Sequence, residues 1–368
     1  MAYQGRFEGS GGKKNKKKRG RVVLVIVLLV VLLIAAAAVW GISYYNKMMN
    51  KMNIITLDKN LYSYLDDSSD SEIVSGDMSG LTAENTPRPP DDIINILVVG
   101  QAYRAGEESH MADTTILVTV NTFDGTITLS SVLRDAYVSL PAYKTHTAGR
   151  NKFNVCYNLG YSWYGIAGAM EYTNLTMMQN FGVEVDHNIE ISFESFIKLI
   201  DYMGGIDIEL TEAEAKYLNQ DDLYVLYDVQ PGLQHLDGMA ALSYARMRKA
   251  DGDGGSDINR TARQRNLISV LVDKLRGMDL KELQGVADTL LPLITTTMTP
   301  KDVANIMLQM LPHINDIKIE GGTMPVETTY WGELLDIYGD GGSHSVLKFD
   351  AEQNKKLIRE FTQIPAEQ

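Results

Sequence analysis

The chain has 368 residues, of which 45% are hydrophobic and 22% are charged, and its formal net charge is −13. This composition is typical of a folded protein with one large or two small domains, and it excludes a mostly disordered or collagen-like chain. A single cysteine excludes an internal disulfide framework and any multi-cysteine zinc or iron–sulfur site. The acidic balance argues against general nucleic-acid binding, so no nucleic-acid partner is expected.

The N-terminal region has the opposite charge. Residues 1–22 carry eight basic residues against one acid, and residues 22–42 contain no charged residue. A helix of that length spans about 31 Å, enough to cross the hydrocarbon core of a bilayer. The positive-inside rule then predicts a single-pass cell-membrane protein, with a cytoplasmic basic tail at 1–21, a transmembrane helix at 22–42 and an extracellular remainder. A cleaved signal peptide, favoured by the small residues at 35–38, and a buried core helix are the alternatives.

Residues 43–90 are predicted to form an extracellular stalk or linker. Weak helical periodicity extends to about Leu65, and the following stretch to Pro90 is rich in Asp, Ser, Thr, Gly and Pro. Such a composition cannot bury a core and is typical of a spacer. Residues 91–368 are then one extracellular domain, long enough for one sizeable core.

Strands and helices alternate within this domain. Asp124-Gly125 is a hairpin turn signal, while Asp237 and Asp257 are candidate helix caps. Strands are predicted at 93–99, 114–120, 126–133, 206–210, 317–319 and 345–349. Helices are predicted at 154–180, 193–203, 237–244, 257–276, 279–292 and 300–311. This alternation predicts an α/β or mixed three-layer fold.

The sequence lacks the standard catalytic motifs, including a Walker A loop, an H-E-x-x-H helix and a G-x-S-x-G elbow. Its six histidines are scattered and give no zinc spacing. Asp251, Asp253 and Asp257 hint at a calcium loop. Ser256 and Ala262, however, occupy the positions where that loop needs glycine and glutamate.

Arginine is concentrated in one stretch of the chain. Arg246 and Arg248 alternate, so an extended backbone would direct both to one side. Asp257, Arg260 and Gln264 have helical spacing and share one face, which is flanked by two further residues, Arg263 and Arg265. Two interpretations stay open at this point. The arginines form either a solvated helix face with local ion pairs, or a pocket for phosphate or pyrophosphate, which suits the permanently charged planar guanidinium.

These arginines belong to an ordered series of motifs. The series comprises N-I-L-V-V-G at 95–100, A-D-T-T at 112–115, V-L-R-D at 132–135, K-F-N at 152–154, G-G-I-D at 204–207, P-G-L-Q-H-L-D-G at 231–238, A-L-S-Y-A-R-M-R at 241–248 and D-I-N-R-T-A-R-Q at 257–264. In this order the motifs resemble those of the LytR–CpsA–Psr (LCP) phosphotransferases of bacterial cell walls. The resemblance covers about 95–277 and extends more loosely to Phe361.

The resemblance implies a fold and an activity. The fold is α/β, a three-layer α-β-α sandwich with a mixed central sheet and an apolar tunnel for a polyprenyl chain. The activity is transfer of a polyprenyl-pyrophosphate-linked glycopolymer, such as teichoic acid or capsule, to peptidoglycan, with a phosphodiester link formed and polyprenyl phosphate released. The side chains that could line the tunnel, or could equally belong to an ordinary core, are Met170, Met177, Met178, Phe181, Phe193 and Phe196.

The resemblance also assigns roles residue by residue. Arg134, Arg246, Arg248 and Arg260 would grip the pyrophosphate, and Asp257 would orient these arginines. Lys152, Gln264 and Arg263 would assist in binding the substrate. Asp113 would hold a Mg²⁺ ion that bridges the phosphate oxygens.

Two positions depart from the family pattern. The family has an acid two residues after the first glycine, where this chain has Ala102, and an arginine just before the S-D-T motif, where this chain has His110 and Met111. Glu107 or Glu108 could replace the missing acid or belong to a solvated loop. The alternative function is therefore a catalytically impaired LCP-like protein that binds lipid pyrophosphates and scaffolds or regulates wall assembly.

Overall fold

The computed structural model describes residues 44–47, 49–65, 92–101, 110–220, 227–247, 257–314, 316–339 and 341–362. The chain divides into two units, residues 1–50 and 51–368. The first is described only at 44–47 and 49–50, which are helical up to a final turn. No helix in the described part of the chain is long and apolar enough to cross a membrane. The predicted transmembrane helix at 22–42 and the basic tail lie outside the described residues.

A mixed sheet forms the centre of the second unit. Its strands are β1 (Asn53–Ile54), β2 (Ile93–Gln101), β3 (Ala112–Asn121), β4 (Thr126–Val132), β7 (His187–Ser192), β10 (Ile294–Thr296) and β11 (Lys318–Met324), in the order β1-β10-β7-β2-β3-β4-β11. The pairs β2–β3 and β3–β4 are antiparallel, whereas β7 runs parallel to β2 and β11 parallel to β4. The predicted α/β class with a mixed central sheet is confirmed.

Three smaller pairs of strands accompany this sheet. They are β5 (Tyr137–Leu140) with β6 (Gly149–Lys152), β8 (Ile206–Leu210) with β9 (Gly232–Leu236), and β12 (Tyr330–Leu335) with β13 (His344–Phe349). All three pairs are antiparallel. The β5–β6 hairpin begins at Tyr137, three residues after Arg134, and ends at Lys152, so predicted site residues lie close to both of its ends.

Helices contact both faces of the central sheet. They are α1 (Val155–Phe181), α2 (Phe193–Tyr202), α3 (Glu212–Leu218), α4 (Gly238–Arg246), α5 (Asp257–Arg276), α6 (Leu280–Leu290), α7 (Pro300–Met310) and α8 (Ala351–Thr362). Leu175 and Phe181 of α1 share the main core with Leu117 of β3. Gln264 of α5 instead contacts Thr114, which strand alternation places on the other face of β3.

The helix cap at Asp237 is confirmed, but the end of that helix is not where the sequence placed it. Asp237 Oδ1 accepts a hydrogen bond from the Ala240 N–H at 2.8 Å, and α4 continues to Arg246. Arg246 therefore lies in the last turn of the helix, which continues two residues beyond Tyr244, and the condition of an extended backbone is not met at Arg246. The backbone leaves the helix only at Met247, whose ψ is 127°.

Part of the predicted stalk contacts the folded unit. Strand β1 pairs with β10, and Leu61 is buried in the main core. The Asp58 N–H donates to the buried carboxylate of Glu171 at 2.7 Å. Residues 53–65 thus supply a sheet edge and core contacts. These contacts could not be predicted from the sequence, because the segment is short and its periodicity is weak.

Candidate functional site

Asp113 connects two of the predicted arginines. Its carboxylate Oδ1 lies 3.3 Å from Nη1 of Arg134, and its main-chain carbonyl accepts a hydrogen bond from Nη2 of Arg260 at 3.0 Å. Asp113 lies near the start of β3, Arg134 follows the end of β4, and Arg260 lies in the first turn of α5. The fold therefore brings together, from three elements, residues far apart in the sequence.

A second carboxylate, Asp135, organises the basic side of this cluster. Its two oxygens lie 3.4 Å from Nε of Arg134 and 2.8 Å from Nζ of Lys152. The main-chain N–H of Asn154, just before α1, donates to the carbonyl of Arg134 at 3.1 Å. Sequence reasoning quoted Asp135 within the V-L-R-D motif but gave it no role, although an acid beside a predicted phosphate-binding arginine was the available signal.

Gln264 extends the contact between α5 and β3. Its Nε2 donates to Oγ1 of Thr114 at 2.9 Å and to the carbonyl of Ala245 at 3.3 Å. Arg260 and Gln264 are four residues apart on α5, and both reach the start of β3, as their shared helix face predicts. Gln264 thereby ties the last turn of α4, which carries Arg246, to the strand that carries Asp113.

Arg263 lies in a buried ion pair. Its Nε is 2.6 Å from Oε1 of Glu214, and the two side chains are 6% and 9% exposed. Its Nη1 also donates to the carbonyl of Met247 at 3.2 Å. The predicted substrate-binding role of Arg263 stays a prediction. Glu214, which sequence reasoning missed, lies in α3 and carries no motif signal.

The remaining predicted residues are only partly described. Arg246 ends α4, and its guanidinium lies 4.9 Å from the ring centroid of Phe193, which is a cation–π contact. Asp257 is the first residue of α5, and its side chain lies outside the described part of the structure. Outside it as well lie Arg248, Ala102 and the two candidate acids at 107 and 108.

The motifs that predicted this cluster also define a protein family. The model of the LytR_cpsA_psr family matches residues 51–356. The chain belongs to this family. Biofilm regulatory protein A of Streptococcus mutans is 30% identical over 182 residues, which are 49% of this chain and 42% of that LCP protein. The chain therefore spans less than half the length of this LCP relative.

Other LCP relatives are described as transferases. The Bacillus subtilis protein named polyisoprenyl-teichoic acid–peptidoglycan teichoic acid transferase TagT is 25% identical over 253 residues, covering 67% of this chain and 73% of TagT. A TagT structure described with bound octaprenyl pyrophosphate lipid matches with a TM-score of 0.52 and 19% identity over 75% of this chain and 92% of that one. TagV of B. subtilis matches with a TM-score of 0.56 and 21% identity over 75% of this chain and 100% of TagV. These structural matches show a shared fold.

Among the described residues of the candidate site, basic side chains outnumber carboxylates. Among the contacts described above, Arg134, Lys152 and Arg260 are opposed by the carboxylates of Asp113 and Asp135. The side chains of Arg134, Lys152, Asp113 and Asp135 are 20 to 29% exposed, so a ligand can reach them. A site of this kind favours an anion that can accept several charge-assisted hydrogen bonds.

His110 and Met111 stand where the family has an arginine, and His110 is a partly buried ring. Its Nδ1 lies 3.4 Å from Oε1 of Gln101, and the ring stacks on Tyr161 with centroids 3.5 Å apart. Burial lowers the pKa of His110 below its ordinary value, so the ring is neutral at neutral pH. This position therefore lacks the positive charge of the usual arginine.

The side chains of the site could hold a Mg²⁺ ion only if the substrate's phosphate oxygens supplied further ligands. Within the described residues, no group of three or more His, Cys, Asp or Glu side chains could hold a metal ion. Asp113 offers one partly exposed carboxylate, while Asp135 already contacts two cationic side chains. Mg²⁺ accepts one or two protein carboxylates when phosphate oxygens and waters complete its octahedron, so Asp113 suits that role.

Proposed function

We propose that this protein transfers a glycopolymer from a polyprenyl-pyrophosphate carrier to peptidoglycan. The reaction forms a phosphodiester link to the acceptor and releases polyprenyl phosphate. The observation that carries the proposal is the convergence of Arg134 and Arg260 on Asp113, with Lys152 joined through Asp135. The names of the relatives TagT and TagU, which are teichoic acid–peptidoglycan transferases, support the substrate class.

The chemistry requires stabilisation of phosphate charge more than covalent catalysis. In phosphoryl transfer the attacking and leaving oxygens lie in line, and negative charge spreads over the non-bridging oxygens. Arg134, Arg260 and Lys152 would bind those oxygens. Asp135 holds Arg134 and Lys152 in place. We assign Arg246, Arg248, Arg263 and Gln264 to substrate binding as well, with Asp257 orienting the arginines.

A Mg²⁺ ion held by Asp113 would supply further charge neutralisation on the pyrophosphate. The basic side chains act whether the ion is bound by one protein carboxylate or by two, because they contact the phosphates directly. Ala102 removes the second acid of the family pattern. We therefore expect weak Mg²⁺ binding in the absence of the lipid pyrophosphate.

The proposed substrate also requires shelter for its lipid. We propose the three-layer α-β-α sandwich of the family, with an apolar tunnel beside α1 that receives the polyprenyl chain. Met170 and Phe181 are buried in two different apolar clusters on α1. Phe193, under the guanidinium of Arg246, would lie where the chain meets the pyrophosphate. Each buried CH₂ contributes about 0.8 kcal/mol, so a long prenyl chain would bind tightly.

We propose that the protein acts at the outer face of the cell membrane. The basic tail at 1–21 and the apolar segment at 22–42 would hold it as a single-pass protein with the catalytic domain outside. The linker following this segment would let the domain reach both the lipid carrier and the wall. This arrangement suits a donor substrate that is itself anchored in the membrane.

The second candidate function is a lipid-pyrophosphate-binding LCP protein without transferase activity. Ala102 and the neutral His110 favour it, since both remove charge from the part of the site next to β3. Both candidates predict donor binding by the basic residues. They differ only in whether the phosphate bond is broken.

The deciding experiment measures release of polyprenyl phosphate from a synthetic polyprenyl-pyrophosphate-linked saccharide. Full-length protein in detergent is incubated with this donor, Mg²⁺ and peptidoglycan, and the released lipid is quantified by mass spectrometry. Transferase activity predicts release together with saccharide on the peptidoglycan, and Arg134→Ala should abolish both. Tight donor binding without release at any Mg²⁺ concentration would contradict the transferase and support the binding protein.

A further inference from the structure

The β5–β6 and β12–β13 hairpins lie side by side next to Asp135 and are linked by an isolated β-bridge; the two hairpins together are called the small sheet. A parallel bridge links Ala136, just before β5, to Leu347 of β13, and the Leu347 N–H donates to the carbonyl of Asp135 at 2.8 Å. The pairs β5–β6 and β12–β13 are thereby placed side by side, in the order β12-β13-β5-β6. The middle of this sheet coincides with the basic cluster at Arg134.

One face of the small sheet packs on the core. Ala136 and Val138 are buried in the main apolar cluster, and Phe349 packs against the same cluster. Successive residues of a strand point to opposite faces. Asp135, next to Ala136, and Lys348, next to Phe349, therefore belong to the opposite, outer face, on which Val346, two residues before Lys348, is fully buried.

The strand registers extend this outer face across the sheet. Tyr137 pairs with Lys152 in the β5–β6 hairpin, and Lys348 pairs with Trp331 in the β12–β13 hairpin. Directly paired residues point to the same face. Trp331, Lys348, Tyr137 and Lys152 consequently form a row, about 14 Å long for a strand spacing of about 4.8 Å. The ion pair between Lys152 and Asp135 lies on this face as well.

The outer end of the row is an exposed aromatic ring with polar neighbours. Trp331 is 52% exposed, so its indole ring is accessible to a ligand. Glu333 lies two residues along on the same face, and its Oε1 is 2.9 Å from Nζ of Lys348. The row therefore combines ring surface with donors and acceptors, and it leads to the basic cluster that would hold the phosphates.

This combination suits a saccharide better than a lipid surface or a protein core. A sugar ring offers an apolar C–H face to an indole and hydroxyl groups to charged side chains at its edge. Tryptophan presents an apolar body beside a polar handle, and it is enriched in binding hot spots. A membrane-inserting face would be broadly apolar, whereas Glu333 and Lys348 are charged and partly exposed.

We propose that this row, with Trp331 as its anchor, binds the glycan strand of the acceptor. A sugar stacked on Trp331 would lie about two strand spacings, roughly 10 Å, from Tyr137, which is two residues from Asp135, so a neighbouring sugar of the same strand reaches the phosphate-binding cluster. The proposal rests on the proposed function for the identity of the acceptor. Binding of glycan at Trp331 does not itself require transfer of phosphate.

The test measures glycan binding without donor lipid. Full-length protein in detergent is titrated with a fluorescently labelled linear N-acetylglucosamine oligosaccharide, and the polarisation gives a Kd. Trp331→Ala should raise the Kd about tenfold or more, the usual effect of losing an aromatic anchor, whereas Trp331→Tyr should retain most of the affinity. Phe123→Ala is the matched control, since Phe123 is 50% exposed in the turn between β3 and β4, at the far end of the sheet.

Each result bears on a separate claim. Equal loss in Phe123→Ala and Trp331→Ala, or no loss in either, overturns the proposal. It is also overturned if Trp331→Ala instead abolishes binding to phosphatidylglycerol vesicles or dissociates a dimer, because the occupant is then a membrane or a second copy. Donor binding and donor cleavage are measured on the same variants without glycan. If the wild-type protein neither binds nor cleaves the donor, the proposed function is contradicted, whereas the result on glycan binding is unaffected.

Discussion

The buried pair of Glu214 and Arg263 gives the sharpest stability prediction. Replacing Glu214 with Leu leaves the guanidinium of Arg263 buried without its carboxylate, which costs about 3–5 kcal/mol. The variant also loses the hydrogen bond from the Thr211 N–H to Oε2 of Glu214, 3.0 Å long, worth about another 1 kcal/mol. Urea unfolding followed by circular dichroism should therefore show a loss of roughly 4–6 kcal/mol in the free energy of unfolding.

The double variant Glu214→Leu/Arg263→Met separates the charge interaction from simple packing. Because both charges are removed together, we expect it to be more stable than Glu214→Leu alone, with a coupling free energy of about 2 kcal/mol or more. Glu214→Gln is the conservative control, since it keeps the size of the side chain. If the losses of the two single variants simply add in the double variant, the reasoning from the ion pair is refuted.

The same variants test the predicted role of Arg263 in substrate binding. If Arg263 only supports the fold through Glu214 and the Met247 carbonyl, the double variant should bind a polyprenyl-pyrophosphate donor with nearly the wild-type Kd. If Arg263 contacts phosphate, the double variant should bind it about tenfold more weakly, as expected for one charge-assisted hydrogen bond. The donor Kd, measured under conditions in which each variant is folded, distinguishes the structural role of Arg263 from phosphate contact.

Three further predictions concern other groups. Lys152→Met should weaken donor binding about tenfold while Lys152→Arg weakens it less, and an unchanged Kd in Lys152→Met would contradict phosphate contact. Burial, with nearby Glu184, raises the pKa of Asp186 to about 6, so wild-type stability should fall as the pH rises from about 4 to 6. Asp186→Asn should flatten that urea-midpoint profile, and an identical slope would exclude Asp186 as its cause. Ala102→Asp should raise turnover at limiting Mg²⁺, a prediction that fails if wild type is already saturated at micromolar Mg²⁺.

Strands and helices with strong local signals could be predicted from the sequence. The apolar run of β2 is buried on both faces, which produces a continuous hydrophobic segment instead of an alternating one. The Asp237 cap was predictable because its carboxylate satisfies an N–H of the first helical turn within three residues. In both cases the structural cause lies inside the segment itself.

Strand β7 of the central sheet could not be predicted in this way. It contains Asn188 and Glu190, which are poor candidates for the middle of a sheet. Asn188 is satisfied by reciprocal hydrogen bonds of 2.8 and 2.9 Å with Asn174, and Glu190 by the hydroxyl of Tyr157. Both partners lie on α1, so the reason that polar residues are tolerated in β7 becomes visible only when the helix is packed on the sheet.

The residues of the candidate site also fall into those that could be predicted from the sequence and those that could not. The motif residues that meet at Asp113 could be proposed from the family pattern, because the pattern preserves residue types around a shared reaction. The groups that hold them in place, Asp135 and Glu214, depend on contacts between segments 17 and 49 residues apart. The end of α4 was predicted near Tyr244, because local spacing cannot reveal that the last turn, which carries Arg246, is held by Gln264.

The arrangement of elements suggests why donor and acceptor need not compete for space. Arg260 and Gln264 approach the start of β3 from α5, on one side of the central sheet. The row ending at Trp331 approaches Asp135 from the β12–β13 hairpin, a separate part of the chain. Arg134 links the two groups, because its guanidinium lies near the carboxylates of both Asp113 and Asp135. A phosphate held at Arg134 would therefore lie next to both the residues supplied by α5 and the hairpin that carries Trp331, and an in-line transfer needs both large substrates at one phosphate.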